Sequence, residues 1–95
     1  MARYTMRTSG LYNRHNQRIA VTRGESIYDV DNRRIGGVRG NELFDTNDSV
    51  MMRIHGGDIL DAKNVKVATL SEVEESIEGT GSANLLAALW YCFVR

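Results

Sequence analysis

The sequence predicts a mainly β protein with one C-terminal α-helix, built as four tandem β-hairpins in a pseudo-four-fold, closed or nearly closed arrangement that the helix plugs or covers. Three observations predict it. A gapless sixteen-residue period runs from Leu11 to Glu74, each period carries the residues of a tight turn, and the stretch from Leu85 to Val94 is apolar without interruption. A fixed period settles an architecture before any local assignment is made.

The chain reads as one domain over residues 1–95. Residues 1–10 form an N-terminal strand in which Tyr4 and Met6 alternate with polar neighbours, placed to pair with the fourth repeat. The four repeats are Leu11–Ser26, Ile27–Glu42, Leu43–Asp58 and Ile59–Glu74. Their first position is Leu11, Ile27, Leu43 and Ile59, and their second is Tyr12, Tyr28, Phe44 and Leu60. The third is Asn13, Asp29, Asp45 and Asp61, and the sixth is Asn16, Asn32, Asp48 and Asn64. The ninth is Ile19, Ile35, Met51 and Val67, and the fourteenth is Gly24, Gly40, Gly56 and then Glu72.

The polar columns define the turn. Asp or Asn at the third position accepts backbone N–H groups, and Asn or Asp three residues later tolerates positive φ. This is a type I turn closed by a one-residue bulge. The apolar columns define the faces: the first and ninth positions are expected opposite each other on one face, the mostly aromatic second position on the other. A lone hairpin is marginal, so four of them must pack around an axis, with the Gly of position fourteen supplying the bend between units.

Ser71 to Glu78 is acidic, with Val73 and Ile77 four residues apart, and fits either a last strand or one amphipathic turn. Residues 75–81 read as a linker that ends in Gly79-Thr80-Gly81, and Ser82 is a good N-cap for a helix over 82–95. That helix has no polar face, so it must be hidden. It plugs the ring, covers an open sheet face, or docks on a second subunit. Leu85, Leu86, Leu89, Trp90 and Phe93 are its candidate plug or oligomer contacts.

The repeated pattern from Tyr28 through Asp29 and Asn32 to Ile35, with its relatives at Tyr12, Phe44 and Leu60, resembles the bacterial family of four-fold β-flower proteins. The resemblance covers residues 11 to about 94, including the helix after the last repeat. It implies a pseudo-four-fold set of hairpins and no established biochemical activity.

Twelve basic and twelve acidic side chains cancel over the whole chain. They do not cancel locally. Up to Gly40 eight Arg face three acids (8 − 3 = +5), and from Asn41 four cations face nine acids (4 − 9 = −5). Ten of the twelve cations are Arg, the residue suited to planar contacts with carboxylate or phosphate. Internal ion pairs between early and late repeats explain the split most simply; head-to-tail self-association and polyanion binding are the alternatives. A polyanion or partner surface would use Arg3, Arg7, Arg14, Arg18, Arg33 and Arg34.

Catalytic, cofactor and metal readings are weaker than the turn reading. The Asp29 and Asp45 segments begin like calcium loops, but lack the Gly at the sixth and the Glu at the twelfth position. His15 and His55 occupy different columns and need not converge, His15 being expected exposed in a turn and His55 at a corner. Neither a nucleophile elbow nor a phosphate loop is present, and the single Cys92 lies in the apolar helix as a small hydrophobe. A lone thiol suits a reducing, cytoplasmic setting, and the ten-residue apolar run is about half a membrane span. The expectation is therefore a structural or protein-interaction module with no catalysis and no cofactor, possible homo-oligomerisation and no membrane partner. A weak nucleic-acid or polyanion binder is the alternative.

Overall fold

A computed structural model describes residues 3–79 and 82–94. Ten strands form one sheet: β1 (Tyr4–Arg7), β2 (Gly10–Tyr12), β3 (Arg18–Arg23), β4 (Ser26–Asp29), β5 (Arg34–Arg39), β6 (Glu42–Asp45), β7 (Val50–His55), β8 (Asp58–Asp61), β9 (Lys66–Thr69) and β10 (Ile77–Gly79). Helix α1 (Leu70–Ser76) joins β9 to β10, and helix α2 (Ala83–Leu89) widens into a π-helical segment, Trp90–Val94. Strands β1 to β9 run as an antiparallel meander, and β10 adds in parallel to β1.

Two kinds of turn alternate along the meander. In the wider one Asn16, Asn32, Asp48 and Asn64 sit at φ between +63° and +67°, and each donates its N–H to the carbonyl three residues before. The third-position side chain completes it. Oδ1 of Asp29 accepts the N–H groups of Asp31 and Arg33, and Asn13, Asp45 and Asp61 do the same for their own turns. The expected turn chemistry is therefore what these columns perform.

The narrower turn is where Gly24, Gly40 and Gly56 fall, at φ of +61°, +60° and +57°. Each is the first residue of a two-residue link, with Arg23 paired to Ser26, Arg39 to Glu42 and His55 to Asp58. Positive φ here matches the right-handed twist of the flanking strands. These glycines therefore close ordinary hairpins inside a continuous meander, instead of bending the chain between separate units. Thr8 takes the same place in the link from β1 to β2, at φ +55°.

Register corrects the expected facing of positions one and nine. Leu11 pairs with Ala20, Ile27 with Gly36, Leu43 with Met52 and Ile59 with Ala68, while the next residue on each incoming strand shifts register. Ile19, Ile35, Met51 and Val67 are the extra residues of these bulges. They remain half-buried against the rim of the core. The inward residues Leu11, Ile27, Leu43 and Ile59 are fully buried.

The sheet is open. Hydrogen bonding ends at β9 on one side and at β10 on the other, and α1 spans the interval between them. The cause is local. Gly24, Gly40 and Gly56 close three of the other links and Thr8 the remaining one, all at positive φ; here Glu72 stands in that column and does not adopt positive φ. Thr69 Oγ1 accepts the N–H of Glu72 at 3.3 Å and starts a helix instead. The last hairpin thus lacks its final residues, because 70–74 are helical, and the expected linker is helix and strand up to Gly79. Thr80 and Gly81 lie outside the described residues. The N-terminal strand pairs with β10 beyond the fourth repeat, Tyr4 facing Ile77 and Met6 facing Gly79.

One core lies between the inner sheet face and the helices. It joins Met6, Leu11, Ile27, Leu43, Met52 and Ile59 of the sheet to Val73 and Ile77 and to Leu86–Trp90. Ser82 Oγ accepts the N–H of Leu85 at 3.2 Å, which makes Ser82 the N-cap expected from the sequence. Asn84 Nδ2 donates to the Gly40 carbonyl at 2.6 Å and ties the helix to the β5–β6 link. Leu86 and Leu89 are buried within the chain, Trp90 nearly so, and Leu85 and Phe93 are half-buried. The helix covers the inner face of its own sheet.

Candidate interaction surface

Because Leu11, Ile27 and Leu43 point inward, the following residues Tyr12, Tyr28 and Phe44 point outward. Each carries a guanidinium over its ring: Arg7 at 4.1 Å from the Tyr12 centroid, Arg23 at 4.9 Å from Tyr28 and Arg39 at 4.1 Å from Phe44. Each of these arginines also reaches the left-handed turn residue of the adjoining wide turn. Arg7 donates to Asn16 Oδ1, Arg23 donates to Asn32 Oδ1 at 2.8 Å, and Arg39 forms an ion pair with Asp48. An arginine, a ring and a turn amide or carboxylate therefore recur three times on the outer face.

At the fourth place the set changes. His55 and Leu60 replace arginine and aromatic, and Arg53 from the same strand donates to Asn64 Oδ1 at 3.1 Å. Arg53 also meets Glu42 Oε2 through both Nε and Nη2, at 2.9 Å each. Nearby, Lys66 lies 3.5 Å from Asp58.

These contacts divide the face in two. The residues at the start of β2, β4, β6 and β8 are Gly10, Ser26, Glu42 and Asp58. On the late side Glu42 and Asp58 hold Arg53 and Lys66. On the early side Arg34 Nε reaches the Ser26 hydroxyl, at 3.4 Å, and the stem of Arg18 lies against Gly10, whose Cα hydrogen leaves room for it. The ion pairs of this face among the described residues are thus Arg39–Asp48, Arg53–Glu42 and Lys66–Asp58. Arg7, Arg23 and Arg34 meet neutral oxygens. Of the ion pairs, Arg39–Asp48 alone joins the basic early half to the acidic late half; Arg53–Glu42 and Lys66–Asp58 lie within the late half, so the expected pairing of early with late repeats accounts for one of the three.

The candidate arginines fall in three clefts and one turn. Arg3 and Arg14 come together with Tyr4, Asn13 and His15 around a cleft of about 320 Å³. Arg7 and Arg18 flank Tyr12 in a second cleft of about 390 Å³. Arg34 shares a third with Arg39 and Phe44, whereas Arg33 is exposed in its turn and uses its backbone N–H on Asp29. Arg23, Arg39 and Arg53 belong to the surface too. Arg7, Arg23 and Arg39 are sixteen residues apart, a column that charge counted by halves of the chain does not reveal.

His15 is exposed in the first wide turn, and His55 sits at the end of β7 beside Gly56. Among the described residues no three His, Cys, Asp or Glu side chains gather as a metal site would need, and no helix is long and apolar enough to cross a membrane. No family model, curated protein or solved structure matches the chain.

Proposed function

We propose that the chain is a structural or protein-interaction module without catalysis, and that it works through the outer face of β1–β6. One observation supports this: guanidiniums stacked on Tyr12, Tyr28 and Phe44, each held at a second point by a turn residue. Tyr and Arg dominate binding hot spots, and an arginine already fixed in place loses little entropy when a partner arrives. We read the fold as a pseudo-four-fold set of hairpins related to the four-fold β-flower proteins. The bulge that recurs at Leu11, Ile27, Leu43 and Ile59 supports that reading. The lone Cys92 favours a reducing, cytoplasmic setting.

The test is paired affinity capture with the wild-type chain and an Arg7→Ser/Arg23→Ser variant, both checked by thermal melting. Proteins retained by the first and lost from the second, at unchanged melting temperature, are the expected result. Identical captured sets from two folded proteins would refute the reading. Weak polyanion binding ranks second, favoured by Arg3, Arg14 and His15 around one cleft, and its mark is affinity that falls steeply with salt.

A further inference from the structure

We infer that the outer face of β1–β5 takes an acidic polypeptide segment, whose carboxylates reach Arg7, Arg18, Arg23 and Arg34 as this chain's own carboxylates reach the late cations; the inference rests on the interaction-module reading. The late half of the same face is the precedent. There Arg39 is met by Asp48, Arg53 by Glu42 and Lys66 by Asp58. In the early half Asn16 and Asn32 stand where Asp48 stands, and Gly10 and Ser26 stand where Glu42 and Asp58 stand. The cations equivalent to Arg39 are kept as Arg7 and Arg23 and those equivalent to Lys66 as Arg18 and Arg34, whereas Val21 and Gly37 stand where Arg53 stands; the carboxylates that meet Arg39 and Lys66 have no counterpart at these early positions. A face that still holds its guanidiniums in place but leaves them charged is complementary to carboxylates from outside.

Geometry points to a peptide more than to a nucleic acid. Arg7 and Arg23 end strands two apart in the sheet, so their row repeats at about 10 Å. The rings of Tyr12 and Tyr28 are covered by these arginines, which removes them as stacking platforms for bases. The whole chain carries no net charge, so it lacks the long-range field that draws a polyphosphate from a distance.

The structure also supplies the control. Asp48 occupies the left-handed turn position at φ +67°, as Asn32 does at +67° and Asn16 at +63°. Asn16→Asp with Asn32→Asp therefore installs the missing carboxylates in a geometry this chain already accepts. Fluorescence anisotropy is measured with a labelled polyglutamate peptide and with a labelled oligothymidylate of equal charge. Wild type is expected to bind polyglutamate more tightly, the Asp double variant to bind it about tenfold more weakly at unchanged melting temperature, and Asp48→Asn to bind it more tightly. Should the double variant fail to melt cooperatively, Arg18→Gln with Arg34→Gln, which alters no turn residue, replaces it. Absent polyglutamate binding, equal binding by the variant, or tighter binding of oligothymidylate would each overturn the acidic partner. If arginine-dependent protein capture persists in those cases, the module reading stands without it; if capture is also lost, both fall.

Discussion

Gly36 is the Cα partner of Ile27, and it lies so close to β6 that a Cβ on it would strike the carbonyl oxygen of Phe44. The other three wide hairpins place Ala20, Met52 and Ala68 at this point, opposite Leu11, Leu43 and Ile59. The second hairpin alone has a residue without a Cβ at this point. Gly36→Ala must push backbone against backbone, and such overpacking costs about 1–3 kcal/mol. Chemical denaturation should show that loss. A variant as stable as wild type would mean that β5 and β6 have room to separate.

Asp29 is a turn residue whose single Oδ1 accepts two backbone N–H groups, at 2.9 Å each. Replacing it with Ala leaves both donors to water in a less ordered turn and should cost about 1–2 kcal/mol. Asp29→Asn should cost under about 0.5 kcal/mol, because Asn13 makes the same two bonds with an amide oxygen. Equal losses for Ala and Asn would show that the charge matters more than the acceptor.

The sequence made the inward column, the turn columns and the Ser82 cap legible, because each is a repeated or local choice of residue type with one physical reason. Leu11, Ile27, Leu43 and Ile59 are fully buried as the period requires. Ile19 and its equivalents were not separable from face residues, since a bulged apolar residue and a paired one look alike in a periodic pattern. Helix α1 and strand β10 were legible only as alternatives, because Val73 and Ile77 fit a helical spacing in a segment that has already left the period. Both features turn out to exist, one after the other, with Val73 and Ile77 buried at 1% and 2% exposure. At the surface, Arg7, Arg23 and Arg39 stand sixteen residues apart, but charge counted by halves of the chain singled out only Arg7 among them. What their side chains touch depended on where the bulges put them.

Thr8 carries a β-branched side chain at φ +55°, in a link whose equivalents are Gly24, Gly40 and Gly56. A non-glycine residue in this region costs roughly 1–2 kcal/mol, partly offset by the lower entropy of its unfolded chain. Thr8→Gly should therefore raise stability by about 0.5–1 kcal/mol, read as a higher melting temperature. The reverse change, Gly24→Thr, should lower stability by a similar amount. Thr8→Gly that destabilises would mean the threonine side chain contributes contacts outweighing its strain.

Leu89 has no exposed surface and sits with Ala87 and Ala88 against the inner sheet face and α1. Leu89→Ala should then cost about 2–5 kcal/mol through lost burial and the cavity left behind. Ser82→Ala should cost about 1 kcal/mol by freeing the N–H of Leu85. Concentration distinguishes the origin of both losses. A helix buried in its own chain gives a melting temperature that stays constant on dilution, whereas one buried against a second copy gives a temperature that falls as subunits separate. Constant melting across a wide dilution series is expected for wild type and both variants. A concentration-dependent transition would move the helix from the fold's own core to an interface between copies.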